Sequence, residues 1–215
     1  MPYRRTENVV RRLAARHDAI IEAARQTASE GGMAAVQIVP VATRAGIAAG
    51  TVYRYFPAKT DLVGALLAEI AEREIEALRR AADSAPGPLS ALAAAIMTFA
   101  ARAVRHRRLT FATIAEPVEA ELDAERLALR HLLANEFSAR IGTAVTDGYL
   151  PEQDAALAAA ALLGLLVEGL IGPLAPDFAG REREAVQSLA LTALRALGVA
   201  DARARGLVMQ AALPD

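Results

Sequence analysis

Residues 41–67 constrain the fold of this 215-residue chain more than any other stretch. They predict a short helix, a glycine-centred turn, a second short helix and the start of a long third one. Ala42 and Ala45 keep the first helix slim enough for a close crossing. Gly46 supplies the left-handed backbone that ends a helix, and Ile47 fills the angle between the two helices. Val52 and Phe56, spaced i and i+4, share an inward apolar face, which turns Thr51, Arg54 and Tyr55 outward. Two helices joined by such a turn present the second one to the DNA major groove.

The outward residues suit that role chemically. A guanidinium pairs two bonds to a guanine edge, hydroxyls reach bases or phosphates, and a threonine methyl packs on thymine. Lys59, the only lysine in the chain, follows at the start of the next helix, where a cation and helix amides suit a backbone phosphate. The competing reading is an ordinary helical corner with Tyr53 and Tyr55 as packing residues. Gly50-Thr51-x-Tyr53 alone does not decide between them. The Ala45-Gly46-Ile47 turn before it and Tyr55-Phe56-Pro57-x-Lys59 after it make the spacing hard to reach by accident.

With that pattern complete, residues 13–67 closely resemble the DNA-binding domain of the TetR family of bacterial transcriptional regulators. The resemblance implies that Tyr53 and Lys59 hold phosphates. It also implies that Thr43, Arg44, Thr51, Arg54 and Tyr55 lie at or near the bases, with Ala49 and Gly50 at the start of the reading helix. Two positions depart from the family pattern. Ala48 and Gln37 stand where serine or threonine usually caps the two motif helices, and a lost cap costs about 0.5–2 kcal/mol. Pro40 offsets part of this in the first turn of the earlier helix.

Charge separates the chain into two ends. Residues 1–60 hold nine basic against four acidic residues, a net +5, so the remainder carries −6 within a whole of −1. Phosphate binding needs only a local positive patch. Arg4-Arg5 and Arg11-Arg12 are placed to act as an arm along the minor groove or backbone. The absence of cysteine suits a reducing cytoplasm, and the polar, basic start does not read as a signal peptide.

The expected fold is all-α: an N-terminal three-helix helix-turn-helix unit (1–57) and a larger helical ligand-binding and dimerisation body (58–215). Breakers predict helices over 9–29, 39–45, 49–55, 58–82, 89–104, 107–115, 122–147, 152–171, 181–197 and 201–211. The helix over 58–82 is expected to be the one continuous rod joining reader and body. Residues 155–175 hold a single charge, Glu168, but alanines, three glycines and Pro173 argue against a membrane span. A helix apolar nearly all round is buried on more than one side. We therefore expect Leu162 and Leu166, with Val186, Leu189, Ala190, Ala193, Leu194 and Leu197, to form a four-helix seam between two copies of the chain. The resemblance implies the same homodimer.

For the body, Met97, Phe99, Arg102, Phe111, Glu116, Phe137 and Glu168 are candidates to line an effector cavity, with plain core or surface roles as the alternative. His17, His106 and His131 are scattered, and no metal, dinucleotide, phosphate-loop or nucleophile-elbow pattern occurs, so neither cofactor nor metal is expected. The reading that follows is a cytoplasmic, homodimeric repressor that releases a pseudo-palindromic operator when a small apolar or amphipathic molecule binds. The alternatives are a DNA-binding regulator controlled by a protein partner, and a helical-bundle enzyme.

Overall fold

The computed structural model describes residues 7–118 and 120–211, and its secondary structure is helical throughout. The described residues form α1 (Glu7–Gly31), α2 (Ile38–Arg44), α3 (Ala49–Tyr53), α4 (Lys59–Asp83) and α5 (Pro88–Arg105). They continue with α6 (Arg107–Ile114), α7 (Ala120–Thr146), α8 (Ala155–Leu170), α9 (Glu182–Ala196) and α10 (Asp201–Gln210). A 3-10 turn over Met33–Ala35, which the sequence pattern did not announce, joins α1 to α2.

Local chemistry sets the boundaries. Gly46, at φ 66°, closes α2. Its N–H donates to the Thr43 carbonyl at 3.1 Å and that of Ile47 to the Ala42 carbonyl at 3.0 Å, the paired bonds of a Schellman ending. α3 stops at Tyr53 rather than at 55. The Arg54 and Tyr55 amides bond three residues back, to Thr51 and Val52, which tightens the last turn. α8 begins later than the expected 152, because Asp154 caps it by accepting from the Ala156 and Leu157 amides at 2.9 and 3.1 Å.

The helix-turn-helix unit shares a core with the first half of α4. Ile20, Ala24, Val41, Val52, Phe56, Leu62 and Leu66 are all buried there. Each such leucine contributes about 1.5–3 kcal/mol by leaving water. α4 then runs on into the body, where α5 is the centre. Ten of its 18 residues are buried, and it touches α4 and every helix from α6 to α10. α4 is tied to α7 by Glu136, a buried carboxylate that accepts from Arg79 of α4 at 2.9 Å and from Arg140 one turn on at 2.7 Å.

α4 is one continuous helix, as expected of the rod between reader and body, and α1 adds a second contact by packing on α6. One expectation is corrected. Leu162, Leu166, Val186, Ala190, Ala193, Leu194 and Leu197 are buried within the single chain, and Leu189 is half-buried against Gly169. Packing of α8 on α5, α7 and α9 consumes that apolar surface, so it is not available as a seam between copies. No helix among the described residues is long and apolar enough to cross a membrane.

Candidate nucleic-acid interface and effector cavity

α3 is short and stands on Val52 and Phe56, both buried beneath it. Its start carries no side-chain cap at Ala48, and Gln37 likewise leaves α2 uncapped, donating instead to the Ala34 carbonyl at 3.2 Å. Gly50, Tyr53 and Arg54 are exposed, while Ala49 and Thr51 are half-buried. A side chain added at Gly50 would meet no atom of the chain within 4 Å. Internal packing therefore does not require glycine there, although glycine inside a helix costs about 1 kcal/mol relative to alanine. The missing side chain leaves the backbone open to close approach from outside the molecule.

The neighbouring candidates divide. Thr43 is exposed and its hydroxyl donates back to the Val39 carbonyl at 3.0 Å. Arg44 is engaged by Glu30 at the end of α1, through Nη1 at 3.0 Å and through a second bond from Nη2. Lys59 is the half-buried first residue of α4, beside Asp61, which accepts from the Ala58 amide at 2.9 Å. Tyr55 does not share the outward face. It lies past the end of α3, half-buried with its ring 6.5 Å from that of Phe56, and edges a groove with Leu13, Arg16 and Ala19 of α1. Arg11 and Arg12 are exposed on α1, and Arg4 and Arg5 fall outside the described residues.

In the body, a cavity of about 350 Å³ lies among α4, α5, α6 and α7, with Arg25 of α1 at one end. Phe99, Leu109, Ile114 and Leu129 give it apolar walls. Its polar end is a set of ion pairs. Glu74 accepts from Arg102 Nε at 2.9 Å and Nη2 at 2.5 Å, and Glu22 accepts from Arg25 Nε at 2.8 Å and Nη2 at 2.7 Å. These bonds hold the Glu22 carboxyl below its usual range. Next to them, burial pushes the Glu69 carboxyl up, with the charges of Arg73 and Arg25 opposing that shift. Burial, and then the charge of Arg102, push the His106 imidazole down, so it is neutral at pH 7.

A profile of bacterial regulatory proteins of the TetR family matches residues 20–66. These residues carry a TetR-family DNA-binding domain. The chain is 43% identical over 72 residues to the HTH-type transcriptional repressor KstR of Rhodococcus jostii, a match covering 34% of this chain and 32% of that protein. KstR of Mycolicibacterium smegmatis is 47% identical over 58 residues, 27% of this chain and 28% of the relative. The chain thus spans about a third of the length of the curated relatives it matches. The whole fold is similar to that of RolR in complex with resorcinol (TM-score 0.68, 22% identity, covering 96% of this chain and 98% of that one). It is also similar to that of the regulator FadR from Bacillus subtilis in complex with stearoyl-CoA (TM-score 0.69, 22% identity, 84% and 97%).

Of the residues expected to line an effector cavity, Phe99 and Arg102 line the space. Met97 and Phe137 are fully buried core, with Phe137 edge-on to Phe99 at 6.1 Å and 80°. Phe111 is half-buried off the cavity, and Glu168 is exposed on α8, so neither faces it. Glu116 turns away too, accepting from the Met33 amide at 3.0 Å. Arg25, Glu74 and Thr113 also line the cavity and were not anticipated, and His106 joins them. Arg25 reads locally as the surface partner of Glu22 three residues earlier, and no local signal directs it to the body.

Proposed function

We propose that the chain is a cytoplasmic, homodimeric transcriptional repressor that holds a pseudo-palindromic operator and lets it go when a small apolar or amphipathic effector fills the cavity. The observation that carries this is the pairing of an exposed, internally unneeded Gly50 on α3 with a cavity whose wall includes α1 of the same reading unit. The KstR relatives are repressors by name, and RolR and FadR share the fold with small molecules bound.

In this reading Tyr53 and Lys59 hold phosphates, while Thr51 and Arg54, with Thr43 beside them, read base edges. Arg44 joins them only by leaving Glu30. Effector action is differential affinity: the bound molecule favours a placement of the two reading units that does not match the half-sites. The seam between copies is assigned to side chains that the single chain leaves exposed. Leu157, Ala161, Gly164 and Glu168 form one stripe on α8, spaced i, i+4, i+7 and i+11, and Ala185, Ser188 and Thr192 lie exposed or half-buried on α9. The small Ala161, Gly164, Ala185 and Ser188 among them let two helices approach closely.

Selection of bound duplexes from a random-sequence pool with the full chain tests the reading. The expected product is a family of sequences with two symmetry-related half-sites. Enrichment of a single asymmetric site, or of no sequence, overturns it.

A further inference from the structure

We propose that the cavity takes a small monocarboxylic acid whose carboxylate bridges Arg102 of the body and Arg25 of the DNA-binding unit. The inference rests on the reading of this cavity as the effector site. The cavity walls carry four guanidiniums, each paired with a carboxylate: Arg25 with Glu22, Arg73 with Glu69, Arg80 with Glu76 and Arg102 with Glu74. Arg102 and Arg25 each meet their own glutamate through Nε and Nη2, which leaves Nη1 of both outside the pair. The two hydroxyls at this end are spent as donors on their own helix: Thr110 on the His106 carbonyl at 3.2 Å and Thr113 on the Leu109 carbonyl at 3.0 Å.

The donors directed at a guest are therefore mainly guanidinium N–H groups, which call for an oxygen acceptor and favour an anionic one. Phe99, Leu109, Ile114 and Leu129 in the same lining are apolar, so the rest of the guest is hydrocarbon. A space of about 350 Å³ holds about a dozen non-hydrogen atoms, taking ~30 Å³ for each as for a water.

Arg25 gives the acid its effect. It sits on α1 among residues that form the core of the DNA-binding unit, with Ala24 and Ala28 buried beside it. An acid that engages Arg25 competes with Glu22 and draws α1 toward α5. The ligand then touches the reading unit directly, in addition to acting through α4.

Calorimetric titration of the full chain with 4-phenylbutyrate and with decanoate, each compared with its own alcohol, tests the proposal. Both acids have the size the cavity holds, in two shapes. At least one acid should bind about tenfold or more tighter than its alcohol. Arg102→Gln and Arg25→Gln should each abolish that preference. Glu22→Gln, which releases Arg25 from its partner, should tighten acid binding, and this opposite response guards against a variant that merely folds poorly. An alcohol bound as tightly as its acid, an acid bound equally by Arg25→Gln, or no binding of either acid overturns the proposal. An acid that binds through Arg102 and Arg25 yet leaves DNA affinity unchanged upholds the site and overturns the effector reading instead.

Discussion

Glu116, just past the end of α6, accepts a hydrogen bond from the backbone N–H of Met33 at 3.0 Å, across 83 positions of sequence. Its carboxylate also covers Gly32, whose φ is 77° and where an added side chain would come within 2.8 Å of Oε2. The contact fastens the body to the segment between α1 and α2. α6 supplies Leu109, Thr110, Thr113 and Ile114 to the cavity wall, so what enters the cavity is one helix turn from this fastening.

Glu116→Ala removes a charged acceptor from a part-buried amide and should cost about 1–3 kcal/mol. Glu116→Gln keeps an acceptor and should cost less. Urea melts give the stabilities, and parallel titrations of DNA and effector give the coupling. Weakened release of DNA at full effector occupancy is the expected outcome for the alanine variant. Unchanged release would assign the transmission to α4 and Arg25 alone.

Gly50→Ala should separate folding from reading. The methyl meets nothing within 4 Å, and alanine is the better helix former, so melting temperature should rise by the equivalent of about 0.5–1 kcal/mol. DNA affinity should fall in the same variant. Arg54→Ala should relax sequence preference at one position by about 1–3 kcal/mol, whereas Lys59→Ala should weaken specific and random duplexes alike and flatten the salt dependence. Anisotropy titrations at several salt concentrations read all three.

Ala161→Arg and Leu166→Arg should differ sharply although they lie within two turns of α8. Ala161 is exposed in the single chain, so its variant should fold with stability within about 0.5 kcal/mol of the parent and sediment as a monomer. Leu166 is fully buried, so its variant places an unpartnered charge in the core and should lose more than about 4 kcal/mol. A dimer that survives Ala161→Arg would move the seam elsewhere.

His106 should make stability depend on pH on the acid side of neutrality. Burial, and then Arg102, lower its folded value from 6.5, so below that pH the unfolded chain binds the proton first. Its contribution is present above pH 6.5 and is lost as pH falls through the lowered value. Urea melts at pH 7.5, 6.5 and 5.5 should show a smaller loss on acidification in His106→Gln than in the parent. Equal losses would show that the imidazole is not held neutral by the fold.

The sequence by itself determined the order of ten helices, the Schellman corner at Gly46, the missing caps at Gln37 and Ala48, and the inward pair Val52 and Phe56. These are settled within a few residues, by backbone conformation, capping and a 3.6-residue period. Tertiary structure alone decided which of two apolar faces meets which neighbour. An all-apolar α8 does not say that Leu166 turns inward and Leu157 outward, because both are leucines on one helix and only the placement of α5, α7 and α9 distinguishes them. The same holds for charge. Arg25, Glu74 and Arg102 are distant in sequence, and although Arg102 and Glu116 were both expected at a cavity, nothing local tells that Arg102 reaches it with Arg25 and Glu74 while Glu116 turns to Met33. They become a cavity wall and a fastening because α1, α4, α5 and α6 converge, and convergence of distant segments leaves no periodic trace in the chain.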